Sequence, residues 1–451
     1  MPTHKTRLLL ILLTLGAALH LFRLGEPQKV VFDEVHFGGF VSAYCGSGEY
    51  FFDIHPPHAK LLIAGAAALG GYRGGQSFEK LGEPYTRVSP ALLRLVPALA
   101  GTLIPVVLFG LMLQLGASPM AAFLAGLAAL LDNSLLLQTR LIALDGILLL
   151  SIFGALLCSL AAAKSANRVR RTCFALLAGV LAGVAAGSKF TGLVAIGLIG
   201  LCIAVEFLRR PTWKRFRVAA SHTVWVLSGA VAAYAGGWAL HFALLTEPGY
   251  GYSFATPSGD FLSDTVKLHR IMFGVNYGLS APHPDSSPWW SWPLMVRPVF
   301  YWSGAKASLF FLGNPILWWG ASLGLIVVAV NLALLRATDL ELPHAEKLCP
   351  ARLWIPLAGY LMALLPLVVV PRALFLYHYL TPLLFSLCAV ILWLDHVRWI
   401  RPETWTGQRR SFHAVTAALA VGFLAMSPFT FAFVHAPAYQ RALLSLLPKW
   451  G

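Results

Sequence analysis

Charge is what this sequence has least of. Only 12% of its 451 residues are charged, whereas 58% are hydrophobic. A soluble domain carries roughly a quarter of its residues as charged side chains. A chain with so few charged residues cannot cover itself with polar surface, and this excludes a soluble globular fold. It predicts an all-α integral membrane protein for which lipid is part of the solvent.

Acidic residues and patterned cysteines are also scarce. Asp and Glu number 19 against 34 Lys and Arg, a formal net charge of +15. The basic residues form short clusters between apolar runs, at 164–171, 209–217 and 398–410, which is typical of cytoplasmic anchors. No nucleic-acid-binding motif accompanies them, so we expect no nucleic-acid partner. The six cysteines lack CxxC or Cys/His spacing, which predicts neither a disulfide framework nor a zinc site.

Eleven apolar segments are candidates for membrane spans, although two fall short of the roughly 20 residues that a span needs. They lie at 7–24, 89–112, 118–131, 141–163, 172–186, 190–208, 222–245, 306–335, 352–370, 376–396 and 412–434. Lys5 and Arg7 place the N-terminus in the cytoplasm. This threading predicts one membrane domain, 1–451, with two large outer loops: loop one at 25–88 and loop two at 246–305.

The polar motifs then fall on the outer face, and their convergence there indicates a site. The first motif is FDEVHF at 32–37, where Asp33 and Glu34 are adjacent acids. The stretch VHFGGFVSAYC that follows predicts a short interfacial helix, ended by the glycines at 46–48. A carboxylate held against that interface is partly desolvated and becomes a better base, so both acids are catalytic candidates. The alternative is a solvated acidic pair that caps the helix.

Two further motifs carry candidate residues. In FFDIHPPHAK, 51–60, the proline pair fixes a turn that presents His55 rigidly, or packs it as a structural histidine. In LDNSLLLQTRLIALDG, 131–146, Arg140 and Asp145 lie at the outer end of a span, where charge is expensive. Arg140 could hold a phosphate through two hydrogen bonds. Its five-residue spacing from Asp145 disfavours a simple intrahelical ion pair.

The remaining candidates are cations and histidines beside spans. Lys189, in GSKFTG, could face a lipid phosphate or merely reach the interface along its alkyl chain. His283 and Arg297 belong to the aromatic, proline-rich part of loop two, which could dock over a sugar or form an interfacial belt. Arg372 and His378 stand at the outer mouth of the tenth span, where anchoring by neighbouring tyrosines is the alternative.

Taken together, these blocks resemble the protein O-mannosyltransferase family. The matching pieces are FDEVHFGGF, YFFDIHPPHAKLL, ALLRLVPALAG, LDNSLLLQTRLIALDGILL, GSKFTGL, HPDSSPWWSWPLMVRPVFYW and LYHYL, in the family's order. The resemblance implies a C-type glycosyltransferase fold and sugar transfer from a polyprenyl or dolichyl phosphate to Ser or Thr hydroxyls. It maps the family's catalytic aspartate onto Asp33, with Glu34 beside it. It also implies that Arg94, His55 and Asp145 support the acceptor or the site.

One departure from the family bears on localisation. Eukaryotic members carry a soluble MIR domain in their large outer loop, and loop two is far too short for one. The sequence therefore looks like a bacterial form, in the cytoplasmic (inner) membrane with its active site on the periplasmic face. Some bacterial relatives of this fold use other sugars or acceptors, so transfer to a lipid or a cell-wall glycan stays open. A transporter or flippase is the alternative outside the enzymes, although the chain shows no symmetric halves.

The resemblance also implies a mechanism. The departing lipid phosphate needs cations aimed at it. The candidates are, in order of preference, Arg140, then Lys189, Arg297 and Arg372. Asp33 would accept the proton of the acceptor hydroxyl, and a single displacement would invert the anomeric carbon. No cofactor is required by this logic, although Asp33, Glu34 and His55 could host a divalent cation.

Cysteine labelling tests the predicted topology. Sole cysteines near Gly75 and Gly259 should react with a membrane-impermeant maleimide outside intact cells, because loops one and two face outwards. A cysteine near Thr404 should react only after the membrane is permeabilised. Reversed labelling would move every candidate residue to the cytoplasmic side.

Overall fold

The computed structural model describes residues 4–249, 257–278, 283–304, 307–337, 351–400, 406–432 and 437–445, most of them helical. The α-helices, numbered in chain order, are α1 (His4–Leu21), α2 (Glu34–Ser42), α3 (His58–Leu69), α4 (Pro90–Leu115), α5 (Pro119–Leu130), α6 (Asn133–Gln138), α7 (Asp145–Lys164), α8 (Arg168–Ser188), α9 (Leu193–Leu208), α10 (Trp213–Leu244), α11 (Phe261–Gly278), α12 (Pro315–Ala337), α13 (Trp354–Val368), α14 (Leu380–His396), α15 (Thr406–Met426) and α16 (Pro437–Leu444). The described residues also form two strands, β1 (Val299–Ser303) and β2 (Ser308–Phe311), and a few short 3-10 and π-helical segments.

The helices account for the predicted spans. Within the described part of the chain, nine helical segments are long and apolar enough to cross a membrane. Two shorter apolar helices, α5 with 12 residues and α13 with 15, coincide with two further predicted spans. All eleven predicted spans therefore fall on apolar helices, and the chain is a multi-pass membrane protein.

The predicted span at 306–335 begins later than expected. Its first residues form β2, which pairs antiparallel with β1, and α12 starts only at Pro315. Proline suits the first turn of a helix because the N–H it lacks would have no intrahelical acceptor there. The predicted helical architecture is confirmed, and this short hairpin is an addition to it.

Some predicted features lie partly outside the described residues. They are segments of loop two, the part of the basic cluster 398–410 that contains Thr404, and the end of the last predicted span.

Loop one contains two helices that pack at one end of the bundle. After α2, the chain continues as a π-helix over Ala43–Ser47 and stops at Gly48, whose φ is 66°. A residue without Cβ adopts this left-handed conformation at little cost, so glycine ends the helix. The predicted short helix and its end are confirmed. A proline-rich turn then leads into α3.

His58 of α3 is buried among α3, α8 and α10. Its Nε2 donates to the main-chain oxygen of Ala233 at 2.9 Å. A Cβ at Gly187 or at Gly237 would overlap the imidazole ring, so both glycines permit the close approach. This contact fixes the end of α8, which is followed immediately by Lys189.

Asp132 fixes the entry to α12. Its buried carboxylate accepts from the main-chain N–H groups of Leu135 (2.8 Å) and Asn314 (3.0 Å), and from Nε1 of Trp318 (2.8 Å). Asn314 in turn donates from Nδ2 to the main-chain oxygen of Leu419 in α15, at 2.8 Å. The hairpin is thereby held close to α6 and α7.

Candidate active site

A buried ion pair underlies the site. Arg94 of α4 donates to Glu34 from Nε (2.7 Å) and Nη2 (2.9 Å), and neither side chain has solvent-exposed surface. The Glu34 carboxylate also accepts from the main-chain N–H of Val31 (2.9 Å), the hydroxyl of Tyr85 (3.0 Å) and the main-chain N–H of Ile142 (3.1 Å). Its oxygens are therefore fully engaged in holding structure.

The same guanidinium organises the segment that leads to Asp33. Arg94 donates from Nη1 to the main-chain oxygens of Leu24 (3.3 Å) and Pro27 (3.1 Å), and from Nη2 to that of Lys29 (3.1 Å). These carbonyls belong to an irregular stretch between α1 and α2. Because buried main-chain oxygens need donors, one arginine fixes the path of this stretch.

Asp33 differs sharply from its neighbour Glu34. Within the described residues, its carboxylate forms no hydrogen bond or ion pair, and its side chain is half-buried. Its position is nevertheless fixed by its neighbour Phe32. The Phe32 N–H donates to the main-chain oxygen of Tyr301 (3.2 Å), and the two aromatic rings stack with their centres 3.9 Å apart. Asp33 is therefore held in place while its oxygens stay available to a ligand.

The electrostatic surroundings of Asp33 suit a base. Burial raises the pKa of its carboxyl from 3.8 to about 6. The charges of Lys189 and His36 oppose this increase, while those of Asp145 and Asp53 add to it. A carboxylate with a raised pKa is a stronger base, and it is still largely ionised at neutral pH.

Asp145 and Lys189 form the second polar contact of the site. Lys189 donates from Nζ to Asp145 at 2.7 Å, and Nε2 of Gln138 donates to the other carboxylate oxygen at 2.7 Å. The hydroxyl of Tyr301 donates to Oε1 of Gln138. This chain of hydrogen bonds links the start of α7 and the end of α8 to the hairpin whose Tyr301 stacks on Phe32.

Arg372 supplies a cation without an acidic partner. In the described parts of the chain, no carboxylate lies within ion-pair distance of it, and its buried Nε has no hydrogen-bond acceptor. Its Nη2 lies 3.5 Å from Nε2 of His378. Burial lowers the pKa of Arg372, whereas the charges of Tyr377, Asp53 and Asp33 oppose that decrease. Such a guanidinium is available to an anion.

His55 lies close to Lys189 and Arg372 and completes, with them and Asp33, the polar cluster of the site. Lys60 donates from Nζ to Asp53 and to the main-chain oxygen of His55 (2.8 Å), so the proline-rich turn is tied to α3. Burial lowers the pKa of His55 well below its usual value, and the charges of Lys189 and Arg372 act in the same direction. His55 is thus a neutral group close to both cations.

The structure places Arg140 apart from these residues. Its guanidinium donates to the main-chain oxygens of Leu19 (3.0 Å), Phe22 (2.6 Å) and Arg23 (3.3 Å), and its other face lies 4.6 Å from the ring centre of Phe431. The last carbonyls of a helix have no intrahelical donors. Arg140 therefore closes the end of α1, which leaves it poorly suited to hold a phosphate.

His283 and Arg297 lie on the rim. His283 is exposed and meets the ring of Phe375 edge-on at 4.9 Å, while Arg297 donates to the main-chain oxygen of Ser286 at 3.5 Å. The ring of Trp292 stacks on His378 at 6.2 Å. The described part of loop two therefore covers His378 with an aromatic residue, and His283 reaches the cluster only through Phe375.

Several residues of the site were not among those predicted from sequence. They are Asp53, Lys60, Gln138, Tyr301 and Tyr377. Each one lies inside a block that carries the family resemblance, which was the available signal. Among the described residues, no group of three or more His, Cys, Asp or Glu side chains is arranged to hold a metal ion. Metal independence stays a prediction.

Comparison with known families decides the identity. The family model for dolichyl-phosphate-mannose-protein mannosyltransferase matches residues 10–246, and the model for the C-terminal four-transmembrane region of protein O-mannosyltransferase matches residues 261–450. The chain belongs to the protein O-mannosyltransferase family. The resemblance found in the sequence is confirmed.

An individual relative supports the assignment to the protein O-mannosyltransferase family. Dolichyl-phosphate-mannose--protein mannosyltransferase 1 of Saccharomyces cerevisiae is 34% identical over 283 residues, which cover 60% of this chain and 34% of the yeast protein. The chain thus spans about a third of that relative's length.

Solved structures show the fold of the protein O-mannosyltransferase family. The Pmt1-Pmt2 complex of S. cerevisiae, bound to its sugar donor, matches with a TM-score of 0.88 at 19% identity, over 98% of this chain and 92% of that chain. ArnT of Cupriavidus metallidurans, bound to undecaprenyl phosphate, matches with a TM-score of 0.53 at 16% identity, over 92% of this chain and 70% of that chain. The fold is the C-type glycosyltransferase fold, as expected.

The contrast between the two adjacent acids predicts different effects on stability. Glu34→Gln should lower the free energy of unfolding by about 3–5 kcal/mol, because it leaves Arg94 buried without its counter-charge. Asp33→Asn should melt close to the wild type, because the Asp33 carboxylate forms no hydrogen bond in the described structure. Thermal unfolding of both variants in one detergent measures the difference, and equal melting temperatures would contradict it.

Proposed function

We propose that this protein transfers a sugar, mannose by family, from a polyprenyl phosphate carrier to Ser or Thr hydroxyls of exported proteins. The observation that carries the proposal is that the described site of this C-type glycosyltransferase fold contains both a free base and a free cation. Asp33 is a carboxylate without hydrogen bonds, and Arg372 is a cation without an acidic partner. A base for the acceptor and a cation for the leaving phosphate are the two groups that the reaction needs.

Asp33 acts on the acceptor in this proposal. The acceptor hydroxyl oxygen attacks the anomeric carbon, and its proton passes to the Asp33 carboxylate. The bond between that carbon and the phosphate oxygen breaks, and the polyprenyl phosphate leaves with the bonding electrons. One displacement without a covalent enzyme intermediate inverts the anomeric centre.

Arg372 and Lys189 stabilise the leaving phosphate in this proposal. Both act on the pKa of His55, so both lie around the same cluster, and Lys189 lies 5.5 Å from the Tyr377 ring centre. Fixed cations beside a site that excludes bulk water stabilise developing charge without reorganising. Arg140, the first choice from sequence, is occupied by the end of α1. The phosphate role is therefore assigned to the cations of the cluster.

Glu34 takes a different role from the one expected. We assign it to positioning, because its carboxylate is fully engaged by main-chain N–H groups, Arg94 and the hydroxyl of Tyr85. Arg94, predicted as support, acts as its partner. Asp145 orients Lys189 through their 2.7 Å contact.

The cellular setting extends the proposal. The basic clusters 164–171 and 209–217 flank the ends of α7 to α10 that lie far from Asp33, which supports a site on the non-cytoplasmic face. We place the protein in a bacterial cytoplasmic membrane because loop two is too short for a MIR domain. The similarity to a protein mannosyltransferase of yeast supports a protein acceptor. No cofactor is assigned, and membrane lipid surrounds the spans.

The base is tested by its pH dependence. Asp33→Asn should lower mannose transfer to a Ser/Thr peptide by about two or more orders of magnitude, because a carboxamide cannot accept the proton. In the wild type, kcat/KM should fall as pH drops through about 6, where the raised pKa of Asp33 makes the carboxyl protonated and inactive.

Removal of the Lys189 charge sharpens this test. Lys189→Met should move the acidic limb to higher pH, because Lys189 lowers the pKa of Asp33. Glu79→Gln, on an exposed part of loop one, is the control that should keep the wild-type profile. Turnover of Asp33→Asn within a few-fold of the wild type would refute the assignment.

Donor affinity separates the two candidate arginines. Arg372→Ala should weaken binding of a short-chain polyprenyl phosphate mannose by about tenfold or more, because a charged hydrogen bond to phosphate is lost. Arg140→Ala should lower the melting temperature, yet the folded protein should bind the donor as the wild type does. Calorimetry in detergent measures both affinities. Weaker binding by Arg140→Ala alone would restore the original choice.

A further inference from the structure

A second polar region lies at the opposite end of the bundle from Asp33. Helix α7 contains 20 residues, starting in the site at Asp145 and ending at Lys164. At 1.5 Å per residue, those two ends are about 30 Å apart. A cavity of about 450 Å³ opens beside Lys164, between the ends of α7 and α9 and the beginnings of α10 and α13. The proposed transfer reaction makes no use of it.

The charges around this cavity are mostly of one sign. Its charged lining residues among those described are five bases and one acid: Lys164, Arg209, Lys214, Arg215, Arg352 and Glu206. They come from two of the basic clusters seen in the sequence and from the start of α13. A role as simple anchors explains basic residues at helix ends, but it does not explain their convergence on one concave space.

Two of the cations are held close together. Lys164 donates from Nζ, and Arg352 from Nη1, to the same main-chain oxygen of Gln114, each at 2.7 Å. The two nitrogens are therefore no more than twice that distance apart. The acid does little to offset them, because Glu206 approaches only Arg215, at 3.9 Å, with both side chains well exposed. Like charges this close repel each other unless an anion lies between them.

The rest of the lining is mostly apolar, apart from Ser159, Thr212 and His222. Leu160, Ile203 and Phe207 form one wall, and Val218 and Ile355 form another. Cations and apolar side chains lining the same cavity match a molecule with an anionic head and an alkyl tail. The volume is within the range that holds a ligand of this size.

We propose that this cavity binds the phosphate group of an anionic membrane lipid, with part of an alkyl chain against the apolar walls. Lys164 and Arg352 contact the phosphate oxygens, and the bases of α10 close over them. The site is independent of the proposed transfer reaction.

Lipid binding by the full-length protein tests the proposal. Native mass spectrometry in detergent, titrated with phosphatidylglycerol, should show one retained lipid in the wild type. The double variant Lys164→Gln/Arg352→Gln should bind it about tenfold or more weakly, because two charged hydrogen bonds are lost. The matched control is Arg168→Gln/Arg170→Gln, which removes two exposed charges next to Lys164 that do not line the cavity. The control should bind as the wild type does.

Three further outcomes decide the assignment. The charge-preserving variant Lys164→Arg/Arg352→Lys should retain binding, which separates loss of the site from loss of folding. Phosphatidylcholine, which has no net charge, should bind far more weakly. Inorganic phosphate should not displace the lipid at equal concentration. Equal binding by the glutamine variant and its control, or equal affinity for phosphatidylcholine or free phosphate, would overturn the proposal.

Discussion

The buried ion pair between Arg94 and Glu34 is the interaction on which the site depends. Removing two charges from water is costly, and the cost is offset only when both ions are fully hydrogen-bonded. Here all three guanidinium nitrogens have acceptors, and both carboxylate oxygens have donors. The pair therefore joins α4, the stretch after α1, the start of α2 and the segment before α7. Asp33 inherits its position from this network without being bound by it.

The adjacent acids Asp33 and Glu34 thus have different surroundings. Successive residues of a helical turn point about 100° apart, so Glu34 faces α4 while Asp33 faces the hairpin and loop residues. The Glu34 carboxylate is fully engaged in hydrogen bonds. The Asp33 carboxylate keeps its lone pairs and gains basicity from burial. The division of roles follows from direction alone, since the residues differ by one methylene.

Sequence predicted the features that depend on local pattern. Apolar length located the eleven spans, and glycine located the end of the helix in loop one. Contacts between distant residues could not be predicted in this way. Lys189 lies 44 residues from its partner Asp145, and Arg94 lies 60 from Glu34. The acceptors of Arg140 were not foreseen for the same reason, because they are carbonyls more than 100 residues earlier in the chain. The strand in the span at 306–335 was missed because a four-residue segment with three apolar side chains does not distinguish a strand from a helix.

The packing of His58 between Gly187 and Gly237 has an evolutionary consequence. Any side chain at either glycine would need the imidazole to be replaced by something smaller, and a smaller residue there would leave a void that favours larger neighbours. The three positions should therefore change together in related sequences or not at all. Gly187 is two residues from Lys189. The covariation would therefore also reflect selection on the position of the lysine, although none of the three residues is itself a proposed phosphate ligand.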